Sequence, residues 1–409
     1  LSKGMAVSFS VCIIAIDFVL KRDLLSGKVI VEKIPFLILS LFFGIVAIYA
    51  QKSADTIIES IHLSMWDKIS FASYALIQYF IKLIVPYKLV HFYPYPYMIN
   101  GEFPGYYYYF PIILITGACI IFYLFRKSRI IIFGLLYFII NIFLVLRLVP
   151  LGDTIMADRY TYLSSIGIFI IIAIFFNYLL VKYLRFRKLI ISLIFIYVFV
   201  LGYQTFQRTM VWRDSFSLWD DASKKYPDNS VIILNRGIAI ERKGDLDVAL
   251  REYSRSIRLD PYNDGAYTNL GNIKLVKGDR AGAVAAYDKA VSINPRNKKA
   301  INNRGKVLVD IGKFNEALFE FNKAIELDPF YANALHNRGV AKFYLRNYTE
   351  ATDDFSRVIQ LNPKHAVAYY LRGLCYIYQN NREQACVNFQ KAVDLDFKAA
   401  LTDLNKYCK

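Results

Sequence analysis

The sequence is poor in the residues that usually build metal sites and nucleophilic active sites. It has only four histidines and five cysteines in 409 residues, and no CxxC or paired Cys–His ligand spacing occurs. No P-loop, no GxSxG turn and no HExxH helix is present. These absences argue against a P-loop nucleotide hydrolase, an α/β-type serine hydrolase and a zinc protease.

Acidic residues are scarce relative to basic ones. The net charge of +17 divides into about +9 before residue 207 and about +8 after it. In the second part the basic residues are mixed with abundant Asp and Glu, so no nucleic-acid patch is predicted. In the first part they fit cytoplasmic loops and anionic headgroups, which indicates membrane lipid as a partner.

Charged residues are nearly missing from six apolar runs in the first 206 residues. Each run has about 16 to 20 residues, close to the roughly 20 that a helix needs to cross the hydrocarbon layer. The runs are Met5–Leu20, Pro35–Ala50, Tyr106–Phe125, Ile130–Val149, Tyr162–Val181 and Leu189–Phe206. The sequence therefore predicts an all-α protein that begins with a polytopic membrane domain over residues 1–206.

Loop charges predict the orientation of this domain. Three basic clusters lie between the runs, at 21–33, 126–129 and 182–188, and the positive-inside rule places them in the cytoplasm. This arrangement requires that the segment 69–86, which carries Lys82, lies flat in the interface or re-enters. The loops 86–105 and 150–160 and the C-terminal domain then share the outer face, either periplasmic or lumenal.

The second half of the chain repeats every 34 residues. The clearest markers are five prolines, Pro227, Pro261, Pro295, Pro329 and Pro363, and a glycine, an alanine and an aromatic residue recur at the same period. This period is typical of tetratricopeptide repeats. We expect five repeats over 230–397, forming an α-solenoid after a connector and half-repeat helix at 207–229. A capping helix is expected at 398–409.

Two polar patterns follow the repeat. Four repeats carry an arginine before the glycine and Glu, Asp or Asn 16 residues later, and the second repeat lacks both, which predicts contact between the paired helices. Asparagine also recurs on the first helix, at Asn235, Asn269, Asn303 and Asn337. A row of amides can pair with any peptide backbone, although Asn can simply be common there. Cys375 and Cys386 fall on the two helices of one repeat, where a disulfide is one alternative.

The polar stretch between the fourth and fifth apolar runs has a distinctive sequence. Met156-Ala-Asp-Arg-Tyr-Thr-Tyr-Leu-Ser-Ser-Ile-Gly167 resembles a signature of transmembrane-and-tetratricopeptide-repeat O-mannosyltransferase-like proteins and their bacterial relatives, of the GT-C class. The family usually has Pro at the position of Ser164. Ser2–Ser8 and His91–Pro96 match more loosely. The asparagine row also resembles that of O-linked N-acetylglucosamine transferases. The resemblance does not cover the family's beginning, so we expect an amino-terminal part upstream.

The resemblance implies transfer of a sugar from a polyprenyl-phosphate donor to a protein hydroxyl. The resemblance then implies that Arg159 binds the donor phosphate, beside Tyr160 and Tyr162, and that Asp158 orients Arg159 or binds a divalent metal. The family's catalytic acid would lie upstream, and no cofactor is identified. Two alternatives remain: a non-catalytic, membrane-anchored scaffold that binds peptides, and an O-antigen ligase or polymerase with appended repeats. For Asp158 and Arg159 the plain alternative is a solvated loop, and for the nearby tyrosines an interfacial aromatic belt.

Overall fold

A computed structural model describes residues 8–53, 63–96, 102–143, 145–146 and 154–408. The fold is all-α, and the described residues add one short antiparallel ribbon, β1 (Tyr93–Pro94) with β2 (Thr154–Met156). The chain divides into two compact units, Leu1–Tyr226 and Pro227–Lys409. The helix that sequence analysis assigned to a half-repeat belongs to the first unit.

The described residues of the first unit form eight α-helices. They are α1 (Phe9–Val19), α2 (Gly27–Ser53), α3 (Met65–Ile84), α4 (Phe110–Phe125), α5 (Arg129–Phe143), α6 (Thr161–Lys182), α7 (Arg187–Val211) and α8 (Ser215–Lys225). Short 3-10 turns at Gly105–Tyr109 and Asp158–Tyr160 lead into α4 and α6. A capping box starts α3, because Ser64 Oγ accepts from the Asp67 amide while the Asp67 carboxylate accepts from the Ser64 amide.

Four helical segments are long and apolar enough to cross a membrane, judged by length and composition. They are Gly27–Val46, Gly105–Phe125, Asp158–Lys182 and Leu184–Val211, and the apolar helices α1 and α5 are shorter. The helix α3, which was expected to lie flat or re-enter, is not among the four. The expected count of six spans, parts of which fall outside the described residues, remains a prediction.

The first basic cluster differs from the predicted loop. Lys33 lies inside α2 and is buried, with its Nζ 2.7 Å from Asp17 Oδ2. Arg22 bridges Asp17 at 3.1 Å and Glu32 at 2.8 Å. Arg22 and Lys33, which were used to predict the orientation in the membrane, therefore also join α1 to α2, because a buried carboxylate needs a paired cation.

Close helix crossing in the first unit depends on two glycines. A Cβ at Gly167 of α6 would lie 2.2 Å from the Gly134 carbonyl oxygen of α5, and one at Gly134 would lie 2.5 Å from the Gly167 carbonyl. Small residues allow such an approach between apolar helices. Two turns further along α5, Asn141 is fully buried, accepts from Ser8 Oγ at 2.9 Å and donates to Cys12 Sγ at 3.2 Å.

Ten helices pair into five hairpins in the second unit. They are α9 (Ser230–Glu241) with α10 (Leu246–Leu259), α11 (Asp264–Val276) with α12 (Arg280–Ile293), α13 (Lys298–Asp310) with α14 (Phe314–Leu327), α15 (Ala332–Tyr344) with α16 (Tyr348–Leu361), and α17 (Ala366–Tyr378) with α18 (Arg382–Asp394). A last helix, α19 (Ala400–Cys408), packs on α18.

The periodic glycines and aromatics are explained by one contact in each hairpin. A Cβ at Gly305 would lie 2.7 Å from Phe321 of the facing helix, and the other four glycines meet their aromatic partners at 2.5–2.8 Å. All five aromatic side chains are fully buried. The ring therefore occupies the space that a side chain on the first helix would fill, which fixes how closely the two helices pack.

The predicted pairing of arginines with residues 16 positions later is confirmed. Arg236, Arg304 and Arg338 lie 2.9, 2.7 and 2.6 Å from Glu252, Glu320 and Asp354, and Arg372 donates to Asn388 at 2.9 Å. Three of these guanidinium groups also reach back to the preceding hairpin, at Asp288, Asn322 and Ser356. Each such arginine therefore joins two consecutive repeats.

Candidate functional site

The charged stretch before α6 is held by residues from a distant loop. The ribbon pairs Tyr93 with Met156, and the Tyr93 hydroxyl donates to Asp158 Oδ1 at 2.7 Å. The Tyr79 hydroxyl of α3 accepts from the Ala157 amide at 2.9 Å. These contacts place the loop after α3 and the loop before α6 on the same side of the first unit, as the sequence predicted, while which side of a membrane they face remains a prediction.

The structure does not bring Asp158 and Arg159 together. The Arg159 side chain is exposed, donates to the Tyr160 hydroxyl at 3.3 Å and lies over that ring at 5.1 Å. Asp158 instead faces Arg208 of α7, with 3.9 Å between Oδ2 and the nearest guanidinium nitrogen. Tyr162 is exposed by 87%. The expectation that Asp158 orients Arg159 is therefore replaced by an arrangement in which Arg208 approaches Asp158.

A cleft of about 300 Å³ opens beside Asp158. Its charged lining residues are Asp158, Lys82 of α3 and Arg208 of α7, and its apolar lining residues include Phe169 of α6 and Leu201 of α7. Two cations exceed the single carboxylate in this lining, so the cleft suits an amphiphile that carries a negatively charged head.

The two cations of the cleft are anchored from behind. Arg208 donates to Asp221 of α8 at 2.8 Å, and Lys225 donates to Asp221 at 2.7 Å and to the Leu89 carbonyl at 2.6 Å. The Lys82 ammonium donates to the Tyr87 carbonyl at 2.7 Å and lies 4.0 Å from the Tyr87 ring centre. These contacts fix both side chains near the cleft, which lowers the entropic cost of binding an anion.

Sequence analysis missed Arg208 because it ended the last apolar run at Phe206. The signal that was available is a basic residue just beyond an apolar run, followed by Asp220 and Asp221 in α8. Such residues are common at membrane boundaries, where Lys and Arg extend toward the interface. Position in the sequence therefore does not distinguish a lining residue from an ordinary anchor.

His91 occupies an aromatic box close to the cleft. Its ring centre lies 4.4 Å from that of Trp219 and 6.2 Å from that of Trp212, and both ring nitrogens are buried without a hydrogen-bond partner. Burial, reinforced by Arg159 and Arg208, lowers the pKa of His91 to about 4. The ring is therefore neutral near neutral pH, and it packs the Tyr/Pro-rich loop against α8.

The asparagine row is only partly available to a ligand. Asn235 donates to the Val231 carbonyl of its own helix at 2.8 Å. Asn303 donates to Asn272 at 2.8 Å, and Asn337 donates to Asn302 at 3.0 Å. Because Asn302 also donates to Asn303 at 3.0 Å, four amides from three consecutive repeats form one connected chain. Sequence analysis missed Asn272 and Asn302, which do not follow the 34-residue period.

Aromatic rings cover the same face toward the last repeats. Tyr344 stacks on Phe314 with ring centres 5.0 Å apart, and Tyr378 stacks on Tyr348 at 4.7 Å. Phe343 lies edge-on to both Tyr348 and Tyr378. Tyr344 and Tyr378 remain 58% and 57% exposed. The rings are therefore held in fixed positions while their outer faces meet solvent.

The cysteine pairing differs from the alternative considered above. Cys375 is buried and free, whereas Cys386 of α18 forms a disulfide with Cys408 of α19. Cys375 points into a cluster with Ala351 and Phe355, so it belongs to the packed interior of its own repeat. The bond thus joins the capping helix to the last hairpin, a contact that repeat periodicity does not reveal.

No cluster of three or more His, Cys, Asp or Glu side chains is found within the described ranges. Asp158 has tyrosine and arginine neighbours rather than further carboxylates. The divalent metal considered at the sequence level therefore has no assigned ligand set here.

Comparisons with known proteins concern the repeats. Residues 264–297 and 366–398 match one family model described as tetratricopeptide repeat, residues 332–365 match a second, and residues 305–345 match a model described as TPR repeat. The C-terminal region therefore carries tetratricopeptide repeats. No curated protein matches the chain.

Several solved structures of repeat proteins are similar to part of the chain. YrrB, described as a TPR protein with an unusual peptide-binding site, is 27% identical over 45% of this chain and 96% of its own, with a TM-score of 0.38. MamA is 26% identical over 40% and 96%, with a TM-score of 0.36. PilF from Pseudomonas aeruginosa is 17% identical over 40% and 75%, with a TM-score of 0.39. Each likeness covers less than half of this chain.

Proposed function

We propose that this is a membrane protein of the GT-C glycosyltransferase type, in which the cleft beside Asp158 holds a polyprenyl-phosphate sugar and the repeats hold the acceptor protein. The observation that carries the proposal is the cleft itself, which combines Lys82 and Arg208 with the apolar Phe169 and Leu201. Arginine binds phosphate oxygens through its planar fork, and lysine adds a second positive charge. Tetratricopeptide repeats are suited to binding protein or peptide partners.

In the proposed transfer, an acceptor hydroxyl oxygen attacks the anomeric carbon and the bond from that carbon to the lipid phosphate breaks. The departing phosphate gains negative charge, which Arg208 and Lys82 stabilise, and the hydroxyl proton passes to a carboxylate base. No residue of this chain is assigned as that base. Asp158 acts as a positioning residue, because it lies between the Tyr93 hydroxyl and the Arg208 guanidinium.

Lipid binding tests this proposal directly. The purified full chain in detergent micelles is titrated with a short-chain polyprenyl phosphate, and Arg208→Gln is expected to weaken binding about tenfold or more, since a charge-assisted hydrogen bond contributes roughly 1.5–3 kcal/mol. Lys82→Gln should give a smaller loss. Arg159→Gln is the matched comparison, because Arg159 was the candidate from sequence and its side chain contacts Tyr160 instead.

Equal affinity of the Arg208→Gln variant and the unmodified protein would remove the cleft from the proposal. A loss confined to Arg159→Gln would return the phosphate to the position expected from sequence.

A non-catalytic, membrane-anchored scaffold is the second candidate function. It is favoured by the contacts of Arg208, which already reaches Asp221 and Asp158 and could serve to join α7 to α8. A scaffold predicts that the repeats bind peptide while the membrane unit binds no phosphorylated lipid, so the same titration separates the two functions.

A further inference from the structure

The face of the repeats that carries the amide chain also carries unpaired positive charge. On α13, Lys299, Asn302, Asn303 and Lys306 are spaced i, i+3, i+4 and i+7, which places them on one face of the helix. The bonds from Asn303 to Asn272 and from Asn337 to Asn302 show that this face adjoins α11 on one side and α15 on the other.

The two lysines differ from the other basic residues of α13. Arg304 has two acidic partners, Asp288 and Glu320, each at 2.7 Å, and Lys298 lies 3.0 Å from Asp328. Lys299 and Lys306 are exposed, and neither forms an ion pair within residues 227–408, all of which the structure describes. Asp310, one turn beyond Lys306, is also exposed and pairs with neither lysine.

Next to this positive segment the face becomes apolar. On α15 and α17 the corresponding positions are Val340, Tyr344, Leu374 and Tyr378, at the same offsets from the repeat glycines as Lys306 and Asp310. The two tyrosines are held by stacking on Phe314 and Tyr348, so their exposed rings lose little freedom when a ligand packs on them.

We propose that this face binds an extended protein segment in which several acidic residues lie next to an aromatic, proline or aliphatic residue. The acidic side chains pair with Lys299 and Lys306, the apolar residue packs on Tyr344 and Tyr378, and the half-buried amides of Asn303 and Asn337 contact the peptide backbone. The inference rests on the proposed peptide binding by the repeats and adds the chemistry of the partner. Charge complementarity and the order of positive and aromatic residues along the face select this occupant.

Peptide binding to the full chain in detergent micelles tests the inference. The probe is a short fluorescent peptide with several glutamates beside one tyrosine, and its counterpart has glutamines in place of the glutamates. The acidic peptide is expected to bind about tenfold more tightly at low salt and to lose that advantage as ionic strength rises, since exposed charges are screened. The Lys299→Glu/Lys306→Glu double variant should abolish the difference between the peptides.

Matched variants separate charge from folding and from apolar contact. Lys289→Glu reverses an exposed lysine on α12, outside this face, and should leave both affinities unchanged. Tyr344→Ala/Tyr378→Ala should weaken both peptides equally. Circular dichroism should show the same helix content in all variants.

The outcomes separate peptide binding by the repeats from the preference for an acidic peptide. Equal binding of the two peptides, unaffected by the lysine reversals, would overturn the acidic partner while leaving peptide binding in place. Absence of binding by either peptide would overturn both. Capture of anionic lipid vesicles through Lys299 and Lys306, without peptide binding, would assign the face to a membrane surface instead.

Discussion

The two units differ in how far apart along the sequence their contacting residues lie. In the repeat unit, contacts recur at fixed short separations, such as the 16 residues between Arg338 and Asp354. In the first unit, several polar contacts join residues much farther apart, such as Tyr93 with Asp158, separated by 65, and Leu89 with Lys225, separated by 136. Contacts at a fixed short separation can be predicted from the sequence because they recur in each repeat. Contacts between distant segments depend on how the helices assemble.

The comparison implies that a repeat with an arginine–acid pair should be sensitive to the loss of that pair. Asp354 is 2% exposed and accepts from Arg338 Nε at 2.9 Å, with Lys342 at 3.0 Å. Asp354→Ala removes the acidic partner of Arg338 and leaves Lys342 with the exposed Glu350, so it should lower the free energy of unfolding by about 3–5 kcal/mol, which chemical denaturation of the full chain measures.

The exposed pair between Lys313 and Glu316 is the control for that prediction. Glu316→Ala should cost less than about 1 kcal/mol, because surface ion pairs contribute little. A similar loss from both variants would mean that burial of the ion pair does not matter in the repeats.

Helix crossing gives the corresponding test in the first unit. Gly167→Ala introduces a Cβ that would lie 2.2 Å from the Gly134 carbonyl oxygen, so α5 and α6 must separate. Overpacking of this kind costs about 1–3 kcal/mol, measured by thermal unfolding in micelles. Gly117→Ala on α4 is the control, since nothing lies within 4 Å of its Cβ. Equal stability of both variants would contradict the close crossing.

The pH dependence of stability compares both units at once. Burial lowers the pKa of His91 and of His336 to about 4, with Arg159 and Arg208 adding to the effect at His91 and His365 at His336. Below the unfolded pKa of about 6.5, the unfolded chain gains a proton that the folded chain excludes. The free energy of unfolding should therefore decrease as the pH is lowered from about 6.5 to about 4.

Single replacements assign that pH dependence to each unit. His91→Phe should remove the part of the pH dependence carried by the first unit and His336→Phe the part carried by the repeats, as followed by thermal unfolding across this range. An unchanged slope in the His91→Phe variant would show that the aromatic box opens to solvent.

The candidate site was predictable only in part. Asp158 and the loop at 91–96 were singled out from sequence, and the structure brings them together through Tyr93. The partner expected for Asp158 was the adjacent Arg159, whereas the nearest guanidinium belongs to Arg208 on a later helix. Neighbours in sequence point in different directions on a helical turn, so adjacency was a poor guide to contact.

The asparagine row shows the same limit inside a repeat. Its period was read correctly, yet Asn303 and Asn337 bond to Asn272 and Asn302, which are not part of the periodic set. Periodicity identifies which positions share a face, but the hydrogen bonds on that face depend on the other side chains that happen to lie there.

The sequence by itself determined the all-α class, the apolar helices, the hairpin repeats and the arginine–acid pairs. Each of these follows from local periodicity, since a helix face, an apolar length and a 34-residue repeat are properties of consecutive residues. Tertiary structure alone decided the approach of Arg208 to Asp158, the aromatic box around His91, the Gly134–Gly167 crossing and the Cys386–Cys408 bond. Those contacts depend on how separate helices pack, and no local pattern encodes which residues of distant segments will meet.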